Sequence, residues 1–203
     1  HAPESEARFM AAGHGIDRRL VMHNDFVLVG PPDDPAGVKG STSATSALRR
    51  LAQDTRSLFV SRGDNSGTHQ LEQGLWKEAG LDPRGKRWYQ ETGQGMGATL
   101  RIASEKRAYT LSDRATYLAN RKLLGLAVLL EGDPALLNVY HVVLVNPRKS
   151  DRINAEGARA FAAFLVGPVA QGIIRDFGRE RFGQALFVPD AGKPEPLEGT
   201  GRR

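Results

Sequence analysis

The stretch that decides the fold reads Ser61-Arg62-Gly63-Asp64-Asn65-Ser66-Gly67-Thr68. An apolar run, Leu58-Phe59-Val60, precedes it, and apolar residues at helical spacing follow it. The pattern predicts a strand, a polar turn that carries glycine, and the first turn of a helix. Such a turn has backbone N–H groups without partners and a partial positive charge, and Arg62 adds a permanently charged planar donor. The stretch therefore predicts a cradle for a small anion, or a polar loop whose serine or aspartate only caps the helix.

A second turn of the same kind follows the strand-like segment Arg87–Glu91. It reads Thr92-Gly93-Gln94-Gly95-Met96-Gly97 and opens a predicted helix over Ala98–Lys106. Its backbone N–H groups form a second place where a helix start can face an anion, although a tight turn gives the same pattern. The glycine spacing does not match a dinucleotide-binding fingerprint. A third strand end, Ala108–Leu111, leads to Ser112, which we predict to cap the next helix.

Strands and helices alternate along the chain, and the turns between them carry glycine. This alternation predicts an α/β fold with largely parallel sheets, in which ligands bind at the carboxyl ends of the strands. Because the three strand ends described above are such ends, we expect them to converge on one site. The predicted strands are 21–30, 58–61, 87–91, 108–111, 124–130 and 138–145, and the predicted helices lie in 1–20 and at 41–53, 66–79, 98–106, from 112, 154–166 and 168–177.

The composition is that of a globular chain with a hydrophobic core. Its 203 residues are 40% hydrophobic and 25% charged, which suits one domain or two small lobes. The net charge of +5 is spread without a basic run of five residues, which argues against a nucleic-acid surface. The absence of cysteine excludes disulfides, thiolate metal sites and a cysteine nucleophile. No apolar run reaches the length of a membrane span, and no signal peptide is visible.

We predict core packing for the aromatic residues Trp76, Trp88, Tyr89 and Tyr117.

Ser66, His69 and Asp64 invite comparison with a hydrolase triad. They lie within one turn and the start of a helix, so their side chains diverge, whereas a nucleophile and its base must meet. The Gly-x-Ser-x-Gly nucleophile elbow is absent, because Asp64 occupies its first position. We therefore predict a binding protein and not an enzyme.

The segment from Phe59 to His69 resembles the second-lobe binding loop of the tungstate-binding proteins of ABC importers, a family related to the molybdate-binding proteins. The resemblance continues in order along nearly the whole chain. It includes Leu75-Trp76, Trp88-Tyr89, the turn 92–97, the run from Ala108 to Arg114 with Tyr117 and, toward the start, His1–Glu4 and Asn24–Pro31.

This resemblance implies a type II periplasmic-binding-protein fold, with two α/β lobes around a cleft. It implies a second lobe at residues 31–145 and assigns residues 1–30 and 146–203 to the first lobe with the crossing strands. The implied ligand is tungstate or molybdate, contacted through its oxygens without a cofactor or a protein-bound metal. The predicted oxyanion-binding residues are Ser61, Arg62, Ser66, Gly67, Thr68, Gly95 and Met96.

The resemblance also implies an importer component that acts in the periplasm or outside the cell, free or held by a lipid anchor. It would deliver its oxyanion to a permease and an ATPase, without binding nucleic acid and without a membrane span of its own. Family members carry a Thr-Thr-Ser type motif near the mature N-terminus as the first-lobe half of the site. Because no such motif precedes His1, we expect the N-terminal part of the first lobe to be missing from this sequence.

Two alternatives stay open at this point. An oxyanion-sensing effector domain of a transcription regulator shares the two-lobe fold and would have a helix-turn-helix segment upstream. Among importer ligands, sulfate and phosphate remain candidates, because the sequence fixes donor chemistry and not the radius of a cavity. A site for a tetrahedral dianion without protons should offer only donors, so we assign Asp64 to orienting Arg62 or to capping the helix.

Overall fold

The computed structural model describes residues 3–54 and 56–195. Within these ranges it contains seven strands and eight α-helices. The strands are β1 (Gly15–Gly30), β2 (Phe59–Ser61), β3 (Tyr89–Glu91), β4 (Thr110–Asp113), β5 (Ala127–Leu130), β6 (Leu137–Val145) and β7 (Val188–Pro189). The helices are α1 (Pro3–Ala11), α2 (Ala44–Gln53), α3 (Gly67–Glu78), α4 (Met96–Glu105), α5 (Arg114–Asn120), α6 (Ala155–Val166), α7 (Pro168–Asp176) and α8 (Arg179–Phe182). His1 and Ala2 of the sequence resemblance, and the end of the predicted first lobe after 195, lie outside the described residues.

The described chain divides into two compact units. The terminal unit contains the described residues up to Asn24 and those from Asn138 onward, and the central unit contains Asp25–Leu137. These boundaries lie inside β1 and at the start of β6, whereas we placed the lobe edges at 30 and 145. Strand pairing explains the difference, because the C-terminal half of β1 pairs with β4 and β5 of the central unit.

The main sheet of the central unit is antiparallel, and the prediction of largely parallel sheets was wrong for it. β1 lies between β4 and β5 and runs antiparallel to both, with Phe26 opposite Asp113 and Leu28 opposite Leu130. The alternation of strands and helices includes β1, which is followed by α2 and β2. The prediction failed because alternation does not fix strand direction, which for β1 depends on pairing with the distant strands β4 and β5.

The parallel pairing that the alternation predicts is present at β2. β2 and β3 pair in parallel, with Phe59 opposite Tyr89 and Ser61 opposite Glu91. On its other side, Phe59 forms a parallel bridge to Tyr109, directly before β4. The carboxyl ends of β2, β3 and β4 therefore lie at one edge of the central unit, which is where α/β proteins build their ligand sites.

The core of the central unit consists of two apolar clusters, one on each face of its strands. Phe59, Trp76 and Tyr89 belong to one cluster, in which the Phe59 ring meets Trp76 edge-on at 5.3 Å between centroids. Val60 and Leu100 belong to the other cluster. Successive residues of β2 thus face opposite clusters, as a strand buried on both faces requires. The predicted burial of Trp76, Trp88, Tyr89 and Tyr117 is confirmed.

The helices of the terminal unit are present as predicted, but the structure leaves much of their apolar surface exposed. The apolar periodicity predicts α6 and α7, and large side chains on both remain accessible: Phe161, Phe164, Val169 and Ile173. Among the described residues no single helix is long and apolar enough to cross a membrane, although the bent pair Ala155–Val166 and Pro168–Phe182 reaches that length and composition jointly.

A matched pair of leucines tests the assignment of the core. Leu100 is fully buried on α4, whereas Leu123 is 78% exposed. We expect Leu100→Ala to lower the free energy of unfolding by about 2–5 kcal/mol, through lost burial and a residual cavity. Leu123→Ala should change it by less than about 0.5 kcal/mol. Urea unfolding followed by tryptophan fluorescence measures both, since Trp76 and Trp88 lie in the central unit; equal effects of the two variants would contradict the described core.

Candidate anion-binding site

The two predicted anion-facing turns are joined by hydrogen bonds. The backbone N–H of Thr92 donates to the carbonyl of Ser61 (3.0 Å), and that of Gly93 donates to the carbonyl of Arg62 (2.8 Å). The Thr92 hydroxyl donates to the same Arg62 carbonyl (3.3 Å). The loop 62–66 and the turn 92–95 therefore form one continuous surface above the carboxyl ends of β2 and β3.

The loop 62–66 adopts its shape through two residues in the left-handed region. Gly63 has φ +62° and Asn65 has φ +55°. A Cβ atom added at Gly63 would lie 2.6 Å from the Cβ of Glu91, so this position requires glycine for space as well as for its backbone angle. The Asn65 N–H donates to His69 Nδ1 (2.9 Å), which ties the loop to the first turn of α3.

Asp64 contacts Arg62, as the first of its two predicted roles requires, but it does not cap α3, because the N-cap of that helix is Ser66. One carboxylate oxygen accepts from Arg62 Nη2, and the other accepts from the backbone N–H of Ser66 (3.1 Å). Burial works to raise the pKa of Asp64, but the hydrogen bonds from Ser66 and Arg62 outweigh it and lower that pKa. Asp64 thus stays ionised at neutral pH and holds the guanidinium of Arg62 against the loop.

Arg62 offers a donor that the described chain does not satisfy. Its side chain is 19% exposed, and its Nε is buried without a hydrogen-bond partner among the described residues. A buried donor without an acceptor costs on the order of 1–3 kcal/mol, so such groups are rare in folded proteins and call for an explanation. An anion bound at the loop would supply the acceptor.

Two helices begin at this surface. Ser66 is the N-cap of α3, and its hydroxyl accepts from the N–H of His69 (3.4 Å). Gly95 is the N-cap of α4 and supplies no side-chain acceptor, so the first N–H groups of α4 are left for other partners. The positive ends of both helices favour a negative charge here.

At the third predicted helix start, the N-cap of α5 lies one residue later than predicted. Asp113, and not Ser112, is the N-cap of α5, because the Asp113 carboxylate accepts from the N–H of Thr116 (2.8 Å). Ser112 is buried in β4, and its hydroxyl donates to the Asp113 carbonyl. A carboxylate at the cap replaces a hydroxyl donor, so the α5 start is less suited to an anion than the other two.

The predicted site residues differ in what they can offer a ligand. Gly67 and Thr68 form the first turn of α3, with the Thr68 side chain buried. The side chain of Met96 packs in the apolar cluster with Leu100, so Met96 can offer only its backbone N–H. Ser61 is fully buried, and its hydroxyl accepts from the N–H of Gly63 (3.2 Å).

Sequence reasoning missed Glu72, which lies on the helix that begins at the end of the loop. Glu72 is on α3 and is 2% exposed. Its carboxylate accepts from the hydroxyl of Tyr89 (2.8 Å) and from the indole N–H of Trp76 (3.2 Å). Burial raises its pKa to about 7, against the lowering effect of the hydrogen bonds from Ser61, Tyr89 and Trp76. Helical spacing offered a signal, since Glu72 shares a face with the buried Thr68 and Trp76.

Cation binding has less support than anion binding. Within the ranges that the structure describes, no group of three or more histidine, aspartate or glutamate side chains could hold a metal ion.

Comparison with known proteins gives consistent matches. The model of the PBP superfamily domain matches residues 1–169. The tungstate-binding protein TupA of Peptoclostridium acidaminophilum is 44% identical over 195 residues, which cover 95% of this chain and 68% of that protein. The structure of the tungstate-binding protein TupA from Desulfovibrio alaskensis G20 is similar, with a TM-score of 0.81, 43% identity and coverage of 94% and 77%. That of the tungstate ABC transporter from Geobacter sulfurreducens has a TM-score of 0.76, 45% identity and coverage of 87% and 75%.

Replacing Gly63 tests the close approach of the loop to β3. Gly63→Ala combines a left-handed backbone with a clash against Glu91, whereas Gly85→Ala has a left-handed backbone (φ +73°) in open space. We expect Gly85→Ala to cost about 1–2 kcal/mol of unfolding free energy and Gly63→Ala to cost more. Urea unfolding compares the two variants. Equal stability losses would mean that the loop does not pack on Glu91 as described.

Proposed function

We infer the function of this chain from its family: it belongs to the PBP superfamily and, within it, to the family of TupA tungstate-binding proteins. We propose that it is the solute-binding component of an ABC importer and captures tungstate or molybdate outside the cytoplasm, either free or held by a lipid anchor. It would pass the oxyanion to a permease and an ATPase. Its relatives include a tungstate-binding protein and a tungstate ABC transporter. These names favour the importer role over a sensing domain of a transcription regulator.

The observation that carries this proposal is the buried, unpaired Nε of Arg62. A guanidinium has five N–H donors and no acceptor, and it binds two oxygens of a tetrahedral anion at once. Because Asp64 holds Nη2, the guanidinium has a fixed orientation before a ligand arrives. An oxyanion that accepts from Nε would satisfy the donor that the described chain leaves unpaired.

The surroundings of Arg62 supply further donors. The helices α3 and α4 start at Ser66 and Gly95, on the same surface, and their first N–H groups and positive ends suit an anion. We propose that Ser66, Gly67, Thr68, Gly95 and Met96 contribute through these groups and that Ser61 contributes from below the loop. No cofactor is needed for such binding, because the ligand is held by hydrogen bonds alone.

The same arrangement would favour a dianion without protons. The carboxylate of Asp64 is occupied by Arg62 and Ser66, so it is not free to accept a proton from a ligand hydroxyl. A protonated phosphate would leave its own O–H donor facing donors, which costs binding free energy. Tungstate, molybdate and sulfate lack that donor.

A binding role also fits the geometry better than catalysis does. The Ser66 hydroxyl contacts the backbone N–H of His69 and not its imidazole. The imidazole nitrogens contact the Asn65 N–H (2.9 Å) and the Gln73 amide (2.9 Å). Among the described residues, the His69 imidazole is therefore not placed to act on Ser66 as the base that a serine nucleophile requires.

Arg62 substitutions test the proposal. We expect Arg62→Gln to weaken tungstate binding by about 1.5–3 kcal/mol, the contribution of a charged hydrogen bond. Arg62→Lys should lie between the wild type and Arg62→Gln, since it keeps the charge and loses the planar fork. Calorimetric titration with tungstate, molybdate, sulfate and phosphate measures these effects.

The control is Arg107→Gln, which removes an exposed guanidinium paired with Asp33 and should leave binding unchanged. Because the chain spans 68% of the P. acidaminophilum protein, the titrations should use the complete gene product as well as this chain. Wild-type affinity in Arg62→Gln would remove Arg62 from the site, and an absence of oxyanion binding by both proteins would overturn the importer role.

A further inference from the structure

Asn65 is the residue of the loop 62–66 that α3 holds by both of its backbone polar groups. Its N–H donates to His69 Nδ1 (2.9 Å), and its carbonyl accepts from the side-chain amide of Gln70 (3.0 Å). Both partners lie near the start of α3. The conformation of the loop at Asn65 is therefore tied to two side chains of the helix that follows it.

The backbone of Asn65 has a conformation that costs free energy in a residue other than glycine. Its φ of +55° lies in the left-handed region, where a Cβ atom crowds the backbone. Such a conformation persists only where the surrounding structure holds it. The hydrogen bond from the Asn65 N–H to His69 is one of the contacts that hold it here.

The orientation of Arg62 depends on this conformation through Asp64, which directly precedes Asn65. The Asp64 carboxylate accepts from Arg62 Nη2 and from the backbone N–H of Ser66 (3.1 Å). Asn65 lies between Asp64 and Ser66 in the chain, so its backbone angles set the distance between those two groups. A rotation at Asn65 would separate them, and the guanidinium would lose its fixed orientation.

The contacts of the His69 imidazole assign its ring proton. Nδ1 faces an N–H donor and therefore acts as an acceptor without a proton, which leaves the proton of the neutral ring on Nε2. Nε2 faces the Gln73 amide (2.9 Å), and the Glu91 carboxylate on β3 lies 3.7 Å away. His69 is buried, so these neighbours hold the ring in one orientation.

We propose that His69 is a positioning residue of the oxyanion site, and that its unprotonated Nδ1 holds the loop 62–66 in the conformation that orients Arg62. This inference rests on the proposed oxyanion-binding function. His69 needs no contact with the oxyanion, because both of its ring nitrogens have partners within the protein. It acts on the guanidinium through Asn65 and Asp64.

Two substitutions separate the role of Nδ1 from that of the ring as a whole. His69→Asn places an amide oxygen near the position of Nδ1, because both side chains branch at Cγ, so the Asn65 N–H keeps an acceptor. His69→Gln branches one carbon further out and matches Nε2 instead, so that acceptor is lost. Helix propensity favours glutamine over asparagine, so tighter binding by His69→Asn would not come from a more stable α3.

The test is calorimetric titration of the complete gene product with tungstate. We expect His69→Gln to raise the Kd about five- to tenfold, the effect of one lost hydrogen bond. His69→Asn should restore most of that affinity and bind within about twofold of the wild type, because the acceptor is kept. Urea unfolding of each variant establishes that it is folded under the conditions of the titration.

A measurement on the wild-type protein keeps the inference testable if a variant does not fold. Long-range ¹H–¹⁵N spectra of the histidine rings distinguish the two neutral tautomers from each other and from the imidazolium. At neutral pH we expect the ring proton of His69 on Nε2, with tungstate and without it. A proton on Nδ1 in the tungstate-bound protein would overturn the inference, because Nδ1 could not then accept from Asn65.

The outcomes distinguish this inference from the proposed function. A Kd for His69→Gln that equals or falls below that for His69→Asn would overturn the role of Nδ1 and leave the oxyanion-binding function standing. An absence of tungstate binding by the wild type would overturn both the proposed function and this inference.

Discussion

The parallel pairing of β2 with β3 is the interaction on which the candidate site depends. It sets Ser61 opposite Glu91, so that the loop after β2 and the turn after β3 leave the sheet at the same level. The hydrogen bonds from Thr92 and Gly93 to β2 and its loop then continue the pairing beyond the strands. Because α3 and α4 start at these two turns, the pairing also brings two positive helix ends to one surface.

The candidate site holds its charged group in place before a ligand arrives. Asp64 holds the guanidinium of Arg62 through Nη2. Fixing donors before the ligand arrives reduces the entropy lost on binding. The backbone at Gly63 is constrained in the same sense, because a Cβ atom at this position would clash with the side chain of Glu91.

Much of this arrangement could be predicted from local sequence patterns. The helix starts at Ser66 and in the turn 92–97, and the contact between Asp64 and Arg62, follow from cap chemistry and from the short range of these contacts. The antiparallel neighbours of β1 could not be predicted in this way, because strand direction depends on pairing between distant segments. Glu72 was missed because its charge suggests exposure, and its burial is explained by its hydrogen bonds with Trp76 and Tyr89. The exposure of Phe161 and Phe164 was likewise outside the reach of periodicity, which shows an apolar face but not what covers it.

The central claim is that the Nε–H of Arg62 is the donor that an oxyanion completes. The most direct measurement is a tungstate titration of ¹⁵N-labelled complete gene product, observed at the arginine Nε–H resonances, with that of Arg62 assigned from its loss in Arg62→Lys. The account predicts that the Arg62 resonance shifts and becomes protected from exchange with water, in step with saturation by tungstate. A resonance that stays unchanged while the protein saturates would contradict it.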